Sequence, residues 1–378
     1  MRAKLKAVSI AVAGALATMA TNVEAADTVK IGMVAPLTGP GAFSGQLQSQ
    51  GFKLAVDEVN KAGGILGRQI EAAIEDDQTT NPGVVLAFSK LAGDKDIVAF
   101  IGPIRSTQIH AMAPDVLKLG KPVMIGGTDP TLTHMDNPWL FRFRPNDTFS
   151  ARVIADFGTN TLGKKKWAIV HSTDAFGTAG MKNLTEALKG LGVEPVLVQG
   201  YPNNSQDFTP VALALKRSGA DVLGSYMTFE ADVAILAKQM RQLGVNITWV
   251  GSPSNATTNA LKLGGPALYG TYAVVDFNKD SAPPAKDFHA KYEAAYKATP
   301  DIFASWPYDA VHILALAINN AKSLEPDKIR AALISVKGYE GAEGTYNFDK
   351  NGDGLHGYNI VKNADGTIVF DKRIDFKE

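Results

Sequence analysis

Three short segments combine hydroxyl side chains with glycine or proline, and they carry the clearest chemical signal in the chain. They are residues 103–107 (Pro-Ile-Arg-Ser-Thr), 126–129 (Gly-Gly-Thr-Asp) and 252–255 (Ser-Pro-Ser-Asn). Each follows a predicted strand, where backbone N–H groups and hydroxyls at a helix N-terminus favour a carboxylate, and the first two should converge because their strands are adjacent. Arg105 adds a bidentate hydrogen-bond donor for the same group. Ordinary helix capping is the alternative for Ser106 and Thr128.

Aromatic residues beyond the strand ends predict the apolar part of the same site. Phe43, Phe176 and Phe229 each follow a predicted strand. A lone phenylalanine at such a place is more often part of a core, which is the alternative interpretation. The complete predicted ligand-binding set is Arg105, Ser106, Thr107, Gly126, Gly127, Thr128, Phe43, Phe176, Phe229 and Ser254.

Two glycine-rich segments look like nucleotide-binding loops, and both fail in their details. Residues 158–165 fit G-x-x-x-x-G-K, but Lys165 stands where Ser or Thr must reach magnesium, and the predicted helix and strand come in the reverse order. Gly163 is therefore interpreted as a helix-ending residue. Residues 39–45 are one residue longer than a dinucleotide fingerprint, so we interpret them as a loop whose backbone amides face a cleft.

Metal and nucleophile signatures are incomplete or missing. Residues 349–354 copy the first half of a calcium-binding loop, but Ile360 occupies the place of the bidentate glutamate, so we expect a hairpin turn. The six histidines form no H-E-x-x-H pair, and no G-x-S-x-G elbow occurs. The absence of cysteine excludes disulfides, thiol catalysis and cysteine-ligated metals. We therefore expect neither an enzyme nor a cofactor or metal.

The first 25 residues predict a signal peptide. Arg2, Lys4 and Lys6 precede an apolar run of about 13 residues, and an A-x-A-like cleavage site ends at Ala25. A membrane-spanning helix needs about 20 apolar residues, so this run is too short to be an anchor. No cysteine follows for lipid attachment. We therefore expect a soluble mature protein in a Gram-negative periplasm.

Short apolar strands alternate with amphipathic helices from Val29 onward, which is the pattern of βαβ units on parallel sheets. The first unit has predicted strands at 29–35, 69–75, 97–101 and 122–125 and helices at 45–61, 82–92 and 107–119. The second has helices at 150–162, 179–191, 208–218 and 231–243 and strands at 167–170, 195–199, 222–226 and 248–251, with Asp147 as the cap of its first helix. The last third has predicted helices at 284–297, 308–321 and 327–336 and strands at 345–348, 358–362 and 367–370. Its long helices should return to the first lobe, so that the chain crosses between lobes near residues 145, 276 and 350.

Several blocks of the sequence resemble the periplasmic leucine/isoleucine/valine-binding proteins of ABC importers. They are 31–40 (Ile-Gly-Met-Val-Ala-Pro-Leu-Thr-Gly-Pro), 55–65 (Ala-Val-Asp-Glu-Val-Asn-Lys-Ala-Gly-Gly-Ile), 76–78 (Asp-Asp-Gln), and 168–171 (Ala-Ile-Val-His) with Phe176-Gly177. The resemblance implies an α/β, type I periplasmic-binding-protein fold, with two Rossmann-like lobes of parallel sheets joined by a three-strand hinge. With the crossings above, we expect a signal peptide at 1–25, lobe 1 at 26–146 plus 277–350, and lobe 2 at 147–276 plus 351–378.

The resemblance also implies which residues bind the ligand. In the family, loops after the third and fourth strands hold the ligand carboxylate, which matches 105–107 and 126–128 here, and Phe176 and Phe229 match aromatic positions of the second lobe. The chain departs from the family at 252–254, Ser-Pro-Ser, where amino-acid receptors place a glutamate for the ligand ammonium. The acids that would have to replace it are Glu230, Asp232 or Asp276. This departure favours an aromatic or aliphatic carboxylate without an amino group, and a branched-chain amino acid is the alternative.

The function that the resemblance implies is capture of a small carboxylate-bearing solute in the periplasm and its delivery to a membrane ABC permease. A ligand sensor for a receptor kinase is an alternative that the sequence does not separate from transport, and an exported α/β enzyme is disfavoured because its motifs are missing. The chain has 38 basic and 38 acidic residues, and this zero net charge argues against a nucleic-acid partner. We expect a monomer.

Overall fold

Two open β-sheets form the framework of the protein, one in each lobe. The computed structural model describes residues 28–376, so the predicted signal peptide lies outside the described residues. The sheet of lobe 1 contains β1 (Val29–Ala35), β2 (Ile70–Asp76), β3 (Ile97–Ile101), β4 (Val123–Ile125) and β5 (Leu140–Arg142). These strands are parallel, in the order β2-β1-β3-β4-β5. Lobe 1 also contains α1 (Ala42–Lys61), α2 (Asn81–Gly93) and α3 (Ser106–Leu119).

The sheet of lobe 2 has seven strands and repeats the same winding. Its parallel strands are β6 (Trp167–Ser172), β7 (Leu197–Tyr201), β8 (Val222–Tyr226), β9 (Thr248–Gly251) and β10 (Tyr272–Val275). Its helices are α4 (Asp147–Asp156), α5 (Ala175–Gly190), α6 (Thr209–Ser218), α7 (Glu230–Gln242) and α8 (Thr258–Gly264). All six residues of β6 are buried, as expected of a parallel strand covered by helices on both faces.

The last third of the chain contributes to both lobes. It contains α9 (Pro283–Tyr296), α10 (Ile302–Ala321), α11 (Pro326–Ile334), β11 (Tyr339–Glu340), β12 (Thr345–Tyr346), β13 (Gly357–Ala364) and β14 (Thr367–Asp375). Helix α10 packs along α1 in lobe 1, and a Cβ on Gly51 would lie only 2.0 Å from the carbonyl oxygen of Ala304. The predicted return of the long helices to the first lobe is therefore confirmed. Within residues 28–376, no helix is long and apolar enough to cross a membrane.

Strand order places a crevice at the same point of each lobe. In lobe 1 the strand β1 lies between β2 and β3, and in lobe 2 the strand β6 lies between β7 and β8. The chain connections leave in opposite directions from such a switch point, and ligands of open α/β sheets bind there, outside the carboxyl ends of the strands. The predicted α/β class with two Rossmann-like lobes is confirmed, and the winding predicts one binding crevice for each lobe.

The structure corrects several strand predictions. The large sheet of lobe 1 has five strands rather than four, because the three-residue β5 is too short to show a periodic pattern. The four-residue β10 was also unpredicted. The predicted strand at 345–348 is reduced to the two-residue β12, which pairs with β11. In lobe 2, β13 and β14 run antiparallel at the edge, so this sheet is mixed.

Four helices begin clearly earlier than predicted: α1 at 42 rather than 45, α4 at 147 rather than 150, α5 at 175 rather than 179, and α10 at 302 rather than 308. Asn146 caps α4 by accepting a hydrogen bond from the amide of Thr148, and Asp147 is the first helical residue instead of the cap. Helix α10 begins at Ile302 and not at 308, and Pro307 lies in its second turn. The proline cannot donate a backbone hydrogen bond, and the burial of residues 302–311 offsets that loss. The expected helix-ending glycine, Gly163, has a φ of +66°.

Three connections join the lobes: residues 143–146 from β5 to α4, residues 276–282 from β10 to α9, and residues 347–356 from β12 to β13. Arg142, at the end of β5, donates through Nε to Asp353 Oδ1 at 2.8 Å. Arg144 forms a second buried ion pair with Asp276. The boundaries expected at 146, 276 and 350 fall on or beside these connections and stay a prediction.

Candidate ligand-binding site

Six segments at the carboxyl ends of strands meet between the lobes and surround a cavity of about 50 Å³. Lobe 1 contributes the loops after β3 and β4, lobe 2 contributes those after β6, β8 and β9, and Arg144 lies in the connection after β5. Five of the ten predicted residues line this cavity: Arg105, Ser106, Thr128, Phe176 and Ser254. A larger hollow of about 420 Å³ near Arg241 lies at the amino ends of β9 and β10, away from both switch points.

Arg105 crosses the cleft from lobe 1 to lobe 2. Its guanidinium carbon lies 4.6 Å from the centroid of the Phe229 ring, which follows β8. Its Nε is buried and has no hydrogen-bond partner in the described part of the chain. Burial lowers the pKa of Arg105, whereas three nearby carboxylates raise it; they belong to Glu230, Asp77 and Asp174. Because a guanidinium remains protonated at any physiological pH, the side chain is a cation, and its buried Nε–H is available as a donor.

Ser106 begins α3 beside this guanidinium. Its Oγ accepts a hydrogen bond from the amide of Asp129 at 3.3 Å, so the hydroxyl proton is left for an oxygen in the cavity. The residue is buried, and α3 is a 14-residue helix whose N-terminus opens toward the cleft. A hydroxyl, a guanidinium and a helix N-terminus together suit an anion.

Thr128 lines the cavity, but its hydroxyl is engaged behind it. Thr128 Oγ1 donates to Asp147 Oδ2 at 2.8 Å, and the Asp147 amide donates to the Thr128 carbonyl at 2.8 Å. Two hydrogen bonds therefore join the loop after β4 in lobe 1 to the first residue of α4 in lobe 2.

The two glycines before Thr128 pack against the core. A Cβ on Gly126 would lie 2.9 Å from Trp306 Cε2, and a Cβ on Gly127 would lie 2.4 Å from Ile109 Cδ1. The amide of Gly126 donates to the carbonyl of Pro103 at 3.1 Å. Tight packing, more than ligand contact, accounts for glycine at both positions.

The other predicted residues lie next to the cavity or behind it. Thr107 Oγ1 accepts a hydrogen bond from the amide of Ala175 at 3.1 Å, which is another contact between the lobes. Phe229 stacks on Arg105, and Phe43 is half-buried against the core of lobe 1. Ser254 lines the cavity but donates its hydroxyl proton to the carbonyl of Met227.

The cavity also has lining residues that sequence reasoning missed, namely Arg144, Asp174, Thr228, Ile302 and Phe303. Ile302 and Phe303 form the start of α10, and they join Phe176 as apolar wall. No local signal could place residues from the last third of the chain against loops some 200 positions earlier. Asp174 could have been found, because an Asp before a helix at a switch point is a typical N-cap.

Asp174 is the one acid among the described residues that line the cavity, and its acceptor sites are occupied. Its Oδ1 accepts from Ser172 Oγ at 3.0 Å and from the Gly177 amide at 2.9 Å. Its Oδ2 accepts from Asn203 Nδ2 at 2.8 Å and from Thr228 Oγ1 at 2.6 Å. A carboxylate has about four lone-pair sites, so none is left for a ligand ammonium.

The three acids expected to replace the missing glutamate lie outside the lining of the cavity. Asp276 is paired with Arg144. Asp232 accepts from the amide of Asn204 at 3.1 Å, and burial raises its pKa to about 6. Burial raises the pKa of Glu230 to about 7, and its Oε1 has no partner among the described residues. None of the three replaces the family's ammonium partner in this arrangement.

The segment that resembles half a calcium loop is a turn, but not the expected hairpin, because the strands on either side of it pair elsewhere: β12 with β11, and β13 with β10 and β14. Asp349 Oδ1 accepts from the amides of Asn351 and Asp353, at 2.8 and 2.9 Å. The side chain of Asp353 is held by Arg142 instead of a metal. Across residues 28–376, no group of three or more His, Cys, Asp or Glu side chains is placed to hold a metal ion.

Two Rossmann-like lobes whose switch points meet across a hinged cleft define a two-lobed solute-binding protein. Residues 28–367 match the model of the periplasmic binding protein family, and the chain belongs to that family. The predicted resemblance to the leucine/isoleucine/valine-binding proteins is confirmed by the relatives below.

A Pseudomonas aeruginosa protein named leucine-, isoleucine-, valine-, threonine-, and alanine-binding protein is 26% identical over 356 residues, which cover 94% of this chain and 92% of the relative. A Brucella melitensis protein named Leu/Ile/Val-binding protein homolog 3 is 29% identical over 350 residues, covering 90% and 93%. The crystal structure of a type 1 periplasmic binding protein from Bordetella pertussis is 28% identical, with a TM-score of 0.84, over 92% of this chain and 100% of that one. The similarity extends over both lobes.

Proposed function

We propose that this protein captures a small organic carboxylate between its lobes, closes on it by hinge motion and delivers it to a membrane ABC permease. The observation that carries the proposal is the imbalance of charge in the cavity. Arg105 presents a buried Nε without a partner in the described chain, while the acceptor sites of Asp174 are all occupied. The second lining cation, Arg144, is paired with Asp276. The lining of the cavity thus offers a charged donor to an anion and no free carboxylate to an ammonium.

The binding roles of the predicted residues follow from this imbalance. Arg105 and Ser106 donate to the ligand carboxylate, and the loop 126–128 supports them from behind. Phe176, together with Ile302 and Phe303, encloses the apolar body of the ligand. The proposed function is capture and release, and it requires no covalent step.

A branched-chain amino acid is the second candidate ligand, because both curated relatives described above are named for binding leucine, isoleucine and valine. An amino acid would need an acceptor for its ammonium. Glu230 has an unpartnered Oε1 in the described chain and could supply one if the loop after β8 moved. A buried ammonium without such a partner loses several kcal/mol to desolvation.

We infer further that residues 1–25 are removed on export and that the mature protein works in the periplasm as a monomer. The support is the basic, apolar and small-residue pattern of the segment, together with membership of a periplasmic family. Light scattering behind a sizing column tests the monomer.

A thermal-shift screen of amino acids, aliphatic carboxylates and aromatic carboxylates tests the proposed function. A ligand at 100 times its dissociation constant should stabilise the protein by about 2.7 kcal/mol. The matched variants are Arg105→Ala, which should clearly reduce the response to carboxylates, and Arg217→Ala on the exposed face of α6, which should retain it. A wild-type protein that responds to no carboxylate contradicts the proposal.

A further inference from the structure

A buried carboxyl group lies directly behind the cavity. Asp147 is the first residue of α4 and has no exposed surface. Its Oδ2 accepts the hydroxyl of Thr128 at 2.8 Å, and Thr128 lines the cavity. Asp147 therefore touches the ligand site through one hydroxyl group and belongs to the lobe opposite that hydroxyl.

Other hydroxyl groups complete the contacts of Asp147. Ser150 Oγ donates to Asp147 Oδ1 at 3.1 Å, and the hydroxyl of Tyr226 lies 2.7 Å from Ser150 Oγ. When Tyr226 donates to Ser150, every donor in this chain of hydrogen bonds points toward the carboxyl of Asp147. The arrangement suits an ionised carboxylate, which accepts hydrogen bonds and donates none.

The charged and titratable groups that surround Asp147 do not neutralise it directly. They are Arg142 at the end of β5, Arg144 two residues after it, Tyr226 in β8 and Tyr358 in β13. Among the described residues, Arg142 pairs with Asp353 and Arg144 pairs with Asp276, and neither forms an ion pair with Asp147. Burial raises the pKa of Asp147 to about 7. The hydrogen bonds from Thr128 and Ser150 and the charges of the two arginines oppose this rise.

The protonation state of Asp147 decides what Thr128 can offer to a ligand. Against an ionised Asp147, Thr128 must donate its single hydroxyl proton backward, and only oxygen lone pairs remain for the cavity. Those lone pairs repel a ligand carboxylate. Against a protonated Asp147, the acid O–H can donate to Thr128 Oγ1, and the threonine proton is then free to donate to the ligand.

We propose that Asp147 is a positioning residue that takes up a proton when the cavity binds a carboxylate, and that it does so by reversing the hydrogen bond to Thr128. The inference rests on the proposed function of the cavity. One O–H bond forms at Asp147 Oδ2 with a proton from solvent, and the proton of Thr128 turns from Asp147 to a carboxylate oxygen of the ligand. No covalent bond to the ligand forms or breaks. Because the two binding events are linked, a lower pH strengthens ligand binding and a bound ligand strengthens proton binding at Asp147.

Calorimetry at pH 6 and pH 8 tests the inference with three probes: 2-oxo-4-methylpentanoate, benzoate and leucine. All three keep an ionised carboxylate at both values of pH. Wild type should bind its best probe about tenfold more weakly at pH 8, the loss expected of one linked group that titrates near 7. In buffers of different ionisation enthalpy, the observed heat should reveal proton uptake.

Two variants should remove the linkage between ligand binding and protonation of Asp147, and two should retain it. Asp147→Asn keeps a donor toward Thr128 at every pH, so its affinity should be the same at pH 6 and pH 8. Thr128→Val should lose both affinity and pH dependence, whereas Thr128→Ser should retain both. Asp156→Asn, at the exposed end of the same helix, is the matched control and should keep the wild-type profile.

Wild-type affinity that is equal at both pH values, or an Asp147→Asn variant that keeps the wild-type profile, overturns the inference and leaves the proposed function intact. Failure of all three probes to bind wild type overturns both. Urea unfolding provides a readout without ligand: as pH rises from 4 to 8, wild type should lose stability relative to Asp147→Asn, because the raised pKa of Asp147 disfavours its ionisation in the folded state. Parallel unfolding curves for the two proteins would show that Asp147 does not titrate in this range, and the inference would fall.

Discussion

The guanidinium of Arg105 and the ring of Phe229 lie 4.6 Å apart, and they belong to different lobes. Arg105 follows β3 and Phe229 follows β8, so the contact joins the switch point of one sheet to that of the other. The ring covers one face of the cation and leaves the edge of the guanidinium, with its N–H groups, for a ligand. Under the proposed function, closure of the lobes and recognition of a carboxylate therefore involve the same pair of side chains.

Phe229→Leu removes the ring and should weaken carboxylate binding by about two- to thirtyfold, the range expected for loss of a cation–π contact of 0.5 to 2 kcal/mol. Phe229→Tyr should bind nearly as wild type. Calorimetry with the best carboxylate from the screen measures both. Phe149→Leu, in a stacked pair with Phe376 outside the cleft, is the control. Equal losses in Phe229→Leu and Phe229→Tyr would show that packing, not the π face, matters.

Arg105→Ala should lower affinity for a carboxylate by roughly ten- to more than a hundredfold, since a hydrogen bond to a charged group contributes about 1.5 to 3 kcal/mol. Arg105→Lys keeps the charge without the planar fork and should fall between Ala and wild type. The same titration applied to Arg217→Ala should give wild-type affinity. Normal binding by Arg105→Ala would mean that the carboxylate is held elsewhere.

Gly41→Ala should reduce affinity while leaving the melting temperature nearly unchanged. An added Cβ would lie 2.6 Å from Arg105 Nη2, the far end of a flexible side chain, so Arg105 would move and the fold would not. The φ of Gly41 is −91°, which an alanine adopts without strain. Differential scanning calorimetry measures the melting temperature, and ligand titration measures the affinity. A large drop in melting temperature would point instead to a role of Gly41 in the loop itself.

A keto or aromatic carboxylate should bind more tightly than the amino acid with the same side chain. The reason is that Asp174 has no acceptor site left and an unpaired buried ammonium loses several kcal/mol. Leucine against 2-oxo-4-methylpentanoate and phenylalanine against phenylpyruvate are the informative pairs. Tighter binding of both amino acids would contradict the expectation and direct attention to Glu230, whose removal should then abolish the preference.

Protein recovered from a periplasmic extract should begin at Ala26. The apolar run before Ala25 is about 13 residues long, where a membrane anchor needs about 20. N-terminal sequencing and intact mass decide the point. An intact Met1 in the membrane fraction would mean that the segment is retained.

Most of the framework could be predicted because a buried parallel strand has an unmistakable composition. The run of apolar residues predicts both ends of β1, β3 and β8 at the residues where the structure has them. A short strand such as β5 forms through its hydrogen bonds to the neighbouring strand, and its three residues are too few for a recognisable sequence pattern. Pro307 hid the first turn of α10 because a proline inside a helix is rare, and only the depth of its burial permits it.

The candidate site likewise has features that the local sequence predicts and features that it does not. Loops after strands could be found from hydroxyls, glycine and one arginine, because each lies next to a strand in sequence. The role of each residue within these loops could not be predicted. Gly127 packs closely against Ile109, and the hydroxyl of Ser254 donates to a backbone carbonyl. Ile302 and Phe303 reach the cavity only through the return of α10 to lobe 1, a contact that no local pattern encodes.

The two ion pairs at the connections have a mechanical consequence. Arg142 ties the first connection to the third through Asp353, and Arg144 ties the first to the second through Asp276. Three separate strands of chain would permit the lobes to twist, slide and bend. Because the two ion pairs join the connections to one another, we expect them to oppose twisting and sliding of the lobes more than bending. Under the proposed function, each closure then brings the two switch points together in the same register.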